Sequence, residues 1–339
     1  MAKNRPRWAI VGLGKHGKVL AEAMKSAGQE LVAVVGGEEH AKPFLSGPVK
    51  RFDALPAALE GAAFDAICIT SPNFRHEQEA IESLEAGKHV LLEKPIALSM
   101  EEAKSIEAAA KKSGKVCMID FHLRQHPAVE RAKEIIGGGS LGEIVSIDMR
   151  WSVGTRLGVL PHLPKTMQWR DDPKLAGGGA IMARGVHLFD LLRFLSGSEV
   201  VEVCAQSDAT EHTVDRTIVG LFRLKNGTIA TVQTSKKLVG ARNGVEVAGT
   251  KGSIWLDIFG SGNGTLCITD ADGAKEESFP ASNLYASVFK AFTLALENKP
   301  NVGATLYDGL ASVAITEAFQ KSVQTRGASR PSDFFDTTQ

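Results

Sequence analysis

Gly12-Leu13-Gly14-Lys15-His16-Gly17 is a G-x-G-x-x-G run directly after the apolar segment Trp8 to Val11 and before a helical pattern. The first glycine of such a run permits a tight turn, and the second lets the backbone approach a pyrophosphate. The third allows close helix–strand packing, while the helix N-terminus presents oriented N–H groups. Strand before and helix after is the context a dinucleotide cradle needs, and Lys15 and His16 lie inside it. An acidic residue for ribose hydroxyls is expected about 20 residues further on. That place reads Val35-Gly36-Gly37-Glu38-Glu39, without the usual Asp and without a following Arg. Two glutamates repel a 2′-phosphate, so NAD is the expected cofactor, with NADP left open; Glu38 and Glu39 as plain solvated residues is the alternative. Gly37 is counted with the cradle.

Two further groups stand at the ends of apolar strands. Thr70-Ser71-Pro72-Asn73, with His76 after it, closes AICIT, where open parallel sheets bind ligands. Glu93-Lys94-Pro95 closes HVLLE. A charged pair at a buried strand end is costly unless paired or functional, and a lysine there can donate to a substrate oxygen and shuttle a proton. A snorkelling surface lysine is the plain alternative. For His187, in GVHLFDLL, the plain alternative is a core histidine bonded to Asp190. His162, in LPHLP, lines a substrate site or caps a loop. His122 and His126 are four apart, but a proline follows and no carboxylate or cysteine accompanies them, so no metal is expected. No Ser-His-Asp constellation or P-loop is present.

These residues need elements to hold them. With 339 residues, two packed domains are expected. Lys plus Arg equals Asp plus Glu at 39 each, so no net charge draws nucleic acid or an anionic membrane. No apolar run approaches the ~18 residues of a membrane span, and no signal-like apolar region precedes Trp8. Cys68, Cys117, Cys204 and Cys267 are scattered, which suits free thiols and a cytoplasmic location. Residues 1–122 alternate continuous apolar runs (LVAVV, AICIT, HVLLE) with helical patterns, which predicts a parallel sheet covered on both faces. From 144 the pattern alternates instead. Val145, Ile147, Met149, Trp151 and Val153 are expected on one face, and Asn226-Gly227 marks a hairpin. The fold class expected is α/β: an N-terminal Rossmann domain over 1–122, then an α+β domain over 123–339 built on an open, mostly antiparallel sheet. Covering helices are expected near 185–195, 283–297 and 306–321.

TSPNFRHEQEAIESLEAGKHVLLEKP and LAGGGAIMARGVHLFDLLRFL resemble the Gfo/Idh/MocA oxidoreductases, the family of glucose–fructose oxidoreductase and inositol dehydrogenase. FHLRQ, MQWR, the GGG segment and SNLY are together most similar to its 1,5-anhydrofructose reductases. The resemblance implies an active site between the two domains, with Lys94 polarising or protonating the substrate oxygen and His187 as its acid/base partner. It implies that Arg124 borders the substrate and that Trp169 and Arg170 reach the cofactor, with Asn73, His76, Glu93, Asp120 and Tyr285. Where the family places an Asp four residues before the helix histidine, this chain has Ala183, followed by Arg184. A full Lys-Asp-His relay is then absent. A reductase, or an acid-bearing substrate bound by Arg184, becomes the expectation.

The function expected is hydride transfer between a nicotinamide and a sugar, polyol or related cyclic alcohol or carbonyl, in a homodimer or homotetramer. A dinucleotide-binding sensor or scaffold without turnover, and a glycosidase using bound NAD transiently, are the alternatives.

Overall fold

In the computed structural model, residues 5–45, 47–154, 165–260 and 262–335 are described. The first elements are β1 (Arg7–Val11), α1 (Lys15–Ser26), β2 (Glu30–Val35), α2 (Glu38–Ala41), β3 (Lys50–Phe52), α3 (Leu55–Gly61), β4 (Ala66–Ile69), α4 (His76–Glu85), β5 (His89–Leu92), α5 (Met100–Ser113) and β6 (Cys117–Ile119). Then come α6 (Pro127–Gly137), β7 (Ile144–Arg150), α7 (Pro173–Ala176), α8 (Val186–Ser196), β8 (Val200–Ser207), β9 (Thr217–Leu224) and β10 (Ile229–Ser235). The remainder are β11 (Gly244–Gly249), β12 (Gly252–Asp257), β13 (Gly264–Asp270), β14 (Gly273–Phe279), α9 (Leu284–Leu296), β15 (Ala304–Thr305) and α10 (Leu306–Thr325).

The chain forms two compact units. The first comprises residues 1–122 together with 283–310, and the second comprises 123–282 together with 311–339. The first unit carries a seven-stranded sheet in the order β15-β6-β5-β4-β1-β2-β3. Its strands β1 to β6 run parallel and β15 lies antiparallel beside β6. Strands β1, β4 and β5 are almost wholly buried, which is why they read as unbroken apolar runs. Segment 283–310 groups with this unit because α9 completes its core. The Trp8 ring meets Phe289 edge-on at 5.1 Å and Phe292 at 4.8 Å, while Trp8 Nε1 donates to Gln29 Oε1 at 3.1 Å. A domain limit at 122 therefore leaves the first unit short of its last helix.

The second unit carries an eight-stranded sheet, β14-β13-β12-β11-β7-β10-β9-β8. Among its described strands the β7–β10 pair is parallel and the other pairs are antiparallel. Phe189 of α8, Phe222 of β9 and Phe319 of α10 pack ring to ring at 5.5 to 6.4 Å and centre its core. On β7 the alternation holds at its centre, where Ile147 and Met149 are buried. Val145 and Val153, expected on the same buried face, are 54% and 50% exposed. Both lie toward the ends of the run. No described helix is long and apolar enough to cross a membrane.

Candidate active site

Gly12 leaves β1 at φ +82°, and a Cβ there would stand 2.4 Å from Ser71 N. Its own N–H donates to Val35 O at 3.2 Å, and Thr70 Oγ1 donates to Gly12 O at 2.8 Å. Gly17 is equally confined, since a Cβ would meet Thr70 Oγ1 at 2.7 Å. Gly14 differs. It is exposed, has φ −84°, and a Cβ on it would find nothing nearer than Gly12 O at 3.9 Å. It also starts α1, whose N-terminus has no side-chain cap and no acidic residue in its first turn. An uncapped helix start behind a glycine with open space suits a phosphate group, so the residues present fit a dinucleotide. Lys15 and His16 flank that opening, exposed. Gly37, at φ +60° just before α2, lies against the turn so closely that a Cβ would fall 2.1 Å from Leu13 O. Glu38 and Glu39 open α2 on the surface, and Glu39 pairs with Lys42 at 2.8 Å.

Behind the turn, side chains from five places in the sequence converge. His16 Nε2 lies 2.6 Å from Glu93 Oε1, and Glu93 Oε2 accepts the Lys94 N–H at 3.0 Å. Burial pushes the Glu93 carboxyl up, but His16, Lys94 and Asp120 outweigh it and hold it at about 2. Asp120 takes the opposite direction. It is 1% exposed, neither oxygen accepts a hydrogen bond from a donor among the described residues, and burial together with the Glu93 charge raises it well above the carboxylate range. Two carboxyls this close oppose each other's ionisation, which favours the charge on Glu93 and the proton on Asp120. One potential ligand atom from each of His16, Glu93 and Asp120 lies within 4.8 Å of the other two. Tyr285, at the start of α9, meets the His16 ring at 5.5 Å and the His122 ring at 4.5 Å. Burial pushes the Tyr285 hydroxyl up and brings His122 down to about 4.

His76 is placed as a clamp. It is 1% exposed, and its ring nitrogens stand 2.7 Å from Pro95 O and 2.9 Å from Ser71 O. It thus ties the two strand-end loops together instead of facing a ligand. Burial lowers its pKa against the pull of those carbonyls. Ser71 Oγ donates to Glu79, which also pairs with Arg75. Asn73 opens the turn after Pro72, half-buried, and Lys94 is half-buried at the end of β5, before a cis Pro95.

In the second unit, His187 is 2% exposed in the first turn of α8, its ring 5.7 Å from that of Trp151. A π-helical turn, Ile181–Gly185, leads into α8 and carries Ala183 and Arg184. Asp215 pins it by accepting the N–H groups of Gly179 at 2.7 Å and Ile181 at 2.8 Å. The Arg184 guanidinium lies over Trp151 at 5.7 Å. Arg124 is 6% exposed and pairs with Asp190 through one edge of its guanidinium, Nε–Oδ2 at 2.8 Å and Nη2–Oδ1 at 2.6 Å. Asp190 thus takes that edge of the arginine. Arg170 is exposed, its guanidinium over the half-buried Trp169 at 4.9 Å. His126 caps α6, Nδ1 accepting from Ala128 N at 3.1 Å. His162 lies outside the described residues.

The first unit therefore brings together Gly12, Gly14, Gly17, Gly37, Thr70, His16, Glu93, Asp120 and Tyr285. His122 is a further member that the sequence does not point to: its spacing suggests only a pair with His126, and nothing in it points to Tyr285.

The oxidoreductase family model for an NAD-binding Rossmann fold, GFO_IDH_MocA, matches residues 6–121, and the GFO/IDH/MocA C-terminal domain model matches 129–255. The chain is 28% identical to the 1,5-anhydro-D-fructose reductase of Ensifer adhaerens, over 94% of this chain and 96% of that one. It is 26% identical to the inositol 2-dehydrogenase of Rhizobium meliloti, again over 94% and 96%. Levoglucosan dehydrogenase, solved with NADH, shares the fold with a TM-score of 0.86 at 22% identity, covering 96% of this chain and 99% of that one.

Proposed function

Since the chain belongs to the GFO/IDH/MocA family of NAD-binding oxidoreductases, we propose that it interconverts a carbonyl and a secondary alcohol on a sugar, polyol or related cyclic substrate, with Lys94 and His187 handling the proton. The enzyme class and the NAD-binding fold are the family's. What carries the finer reading is the glycine turn locked onto Val35 and Thr70, with Glu93 and Lys94 at the neighbouring strand end.

The main-chain N–H groups from Gly14 to Gly17 hold the cofactor phosphates, with Gly37 keeping the close approach of β2 to the turn. Lys15, His16, Thr70, Ser71, Asn73, Glu93, Asp120, Trp169, Arg170 and Tyr285 are proposed as the cofactor's further surroundings. Bound nicotinamide supplies or accepts the hydride. Lys94 Nζ gives its proton to the substrate oxygen in reduction and takes it back in oxidation. His187, on α8, restores the lysine's proton. With Ala183 in place of a carboxylate, these two groups do the work alone, which suffices where one proton accompanies each hydride.

NAD is preferred over NADP because Glu38 and Glu39 repel a 2′-phosphate. A homodimer or homotetramer through the outer face of the second sheet, where Val219 and Leu221 stand 45% and 49% exposed, and a cytoplasmic location complete the proposal. Neither the sensor nor the glycosidase alternative gains a supporting observation. The test is calorimetric titration of cofactor-stripped protein with NADH and NADPH in parallel, followed by absorbance at the NADH band with a panel of sugars and polyols. Binding of NADH with turnover of a ring alcohol or ketone supports the reading, and binding of neither dinucleotide removes it.

A further inference from the structure

We propose that the second unit holds an anionic group of the substrate, a carboxylate or phosphate on the sugar-like ring, between Arg184 and Lys236. The inference rests on the oxidoreductase reading and narrows its substrate to acidic carbohydrates.

Three segments bring cations to one place. Asp215 fixes the π-helical turn that carries Arg184. Its neighbour Arg216 offers O to the N–H of Lys236 at 2.8 Å, just past β10. The frame is further closed by Thr217 and Ser235, whose hydroxyls meet at 2.8 Å. Within this frame the charges do not balance. The groups that act on the Lys236 ammonium are Asp215, Arg184, Arg170 and Arg216, three cations against one carboxylate. Both oxygens of that carboxylate already accept main-chain N–H groups. Asp171 lies 3.7 Å from Arg216 at the exposed rim.

Among the described residues, neither Arg184 nor Lys236 has a carboxylate within ion-pair distance. Arg184 Nη1 is buried without a hydrogen-bond acceptor. Burial lowers the pKa of both side chains, and the arginines lower that of Lys236 further. An unpaired, half-buried guanidinium beside a half-buried ammonium is a costly arrangement. An anion with several acceptor oxygens removes that cost, since a carboxylate or phosphate takes charge-assisted bonds from both. Trp151, stacked on Phe259 at 4.8 Å, lies beneath the Arg184 guanidinium and next to His187, and so fixes the place of that cation. Ala183 adds to the imbalance, because the turn holds no carboxylate of its own.

The experiment uses the holoprotein saturated with NAD+ and titrates it with D-glucose, D-glucuronate and D-glucose 6-phosphate, at low and high salt. The expected result is that one of the two anions binds at least about tenfold more tightly than glucose, as one charge-assisted contact provides. Which anion wins tells carboxylate from phosphate. Arg184→Gln and Lys236→Met should each remove most of that preference while the dissociation constant for NADH stays within about threefold of the parent's. Retained NADH binding also shows that the variants fold.

Equal or tighter binding of glucose, no binding of either anion, or a preference that survives both variants overturns the proposal. So does a loss of NADH affinity with sugar preference unchanged, which assigns the cations to the cofactor. Failure of the wild-type protein to bind NADH is a different outcome, and it removes the oxidoreductase reading itself.

Discussion

The His16 imidazole and the Glu93 carboxylate lie 2.6 Å apart, joining the first turn of α1 to the end of β5. Asp120 lies close to Glu93 on the next strand end, and their proximity favours a negative charge on Glu93 and a retained proton on Asp120. Replacement of the two carboxyls should therefore be unequal. Asp120→Asn mimics the protonated acid, and its cost at neutral pH is expected to stay within about 1 kcal/mol. Glu93→Gln removes the ionised partner of His16 and should cost about 2 kcal/mol. Urea unfolding of both variants at neutral pH checks this, and the reverse order would show that the proton sits on Glu93.

Gly14→Ala separates folding from cofactor binding. The position has an ordinary φ and open space for a methyl group, so thermal stability should change by less than about 1 kcal/mol. The methyl group nevertheless occupies the approach to the α1 N-terminus, and NADH affinity should fall by about a hundredfold. Gly12→Ala, with a Cβ 2.4 Å from Ser71 N, should fail to fold normally. If Gly14→Ala binds NADH like the parent, the phosphates do not sit where the turn places them.

Lys94→Met and His187→Gln should each lower kcat by roughly 10²- to 10⁴-fold, the range for loss of a positioned acid or base. NADH binding should survive in both. Steady-state rates beside calorimetric cofactor titrations make the comparison. An unchanged kcat in either variant would take that residue out of proton transfer.

Buried histidine gives the protein an acid-sensitive stability. His122 is brought to about 4 by burial, from an ordinary 6.5. Its folded pKa is depressed, so its contribution is complete above 6.5 and is lost as the pH falls toward 4. Over that window the unfolded chain takes a proton the folded chain refuses, a loss of roughly 3 kcal/mol. His76 acts in the same direction. Urea midpoints measured from pH 7 to 5 should decline in the parent and decline less in His122→Gln. Parallel slopes for the two proteins would contradict the assignment.

What the sequence makes legible is what lies close together along it. Gly12 to Gly17 encodes a whole turn within six residues, and Glu93-Lys94-Pro95 and the GGG segment are equally compact. Strands β1, β4 and β5 are readable because burial on both faces demands continuous apolar runs. Strand β14 is not, since it is an exposed edge carrying Lys275, Glu276 and Glu277, and charge protects an edge at the expense of any hydrophobic signature. Helix α6 was readable in principle, with Pro127 in its first turn and Ala128, Val129, Ala132 and Ile135 buried. The His16, Glu93, Asp120, His122 and Tyr285 cluster draws on segments far apart, and no local pattern ties Tyr285 to His16. Arg124 shows the opposite limit. Its residue type suits a substrate-lining role, and only the fold reveals that Asp190 already takes its Nε and Nη2.

The return of residues 283–310 to the first unit sets the order in which the molecule can be finished. A ribosome releases β1 to β6 early, N-terminal segments first, but the core cluster around Trp8, to which α1 contributes Leu20 and Met24, lacks its α9 share until Phe289 and Phe292 emerge. Residues 123–282 are made in the interval and contain all the strands of the second sheet. The unit that begins first during synthesis is thus completed late, and a chain cut at residue 122 would carry the glycine turn on a sheet lacking its last helix.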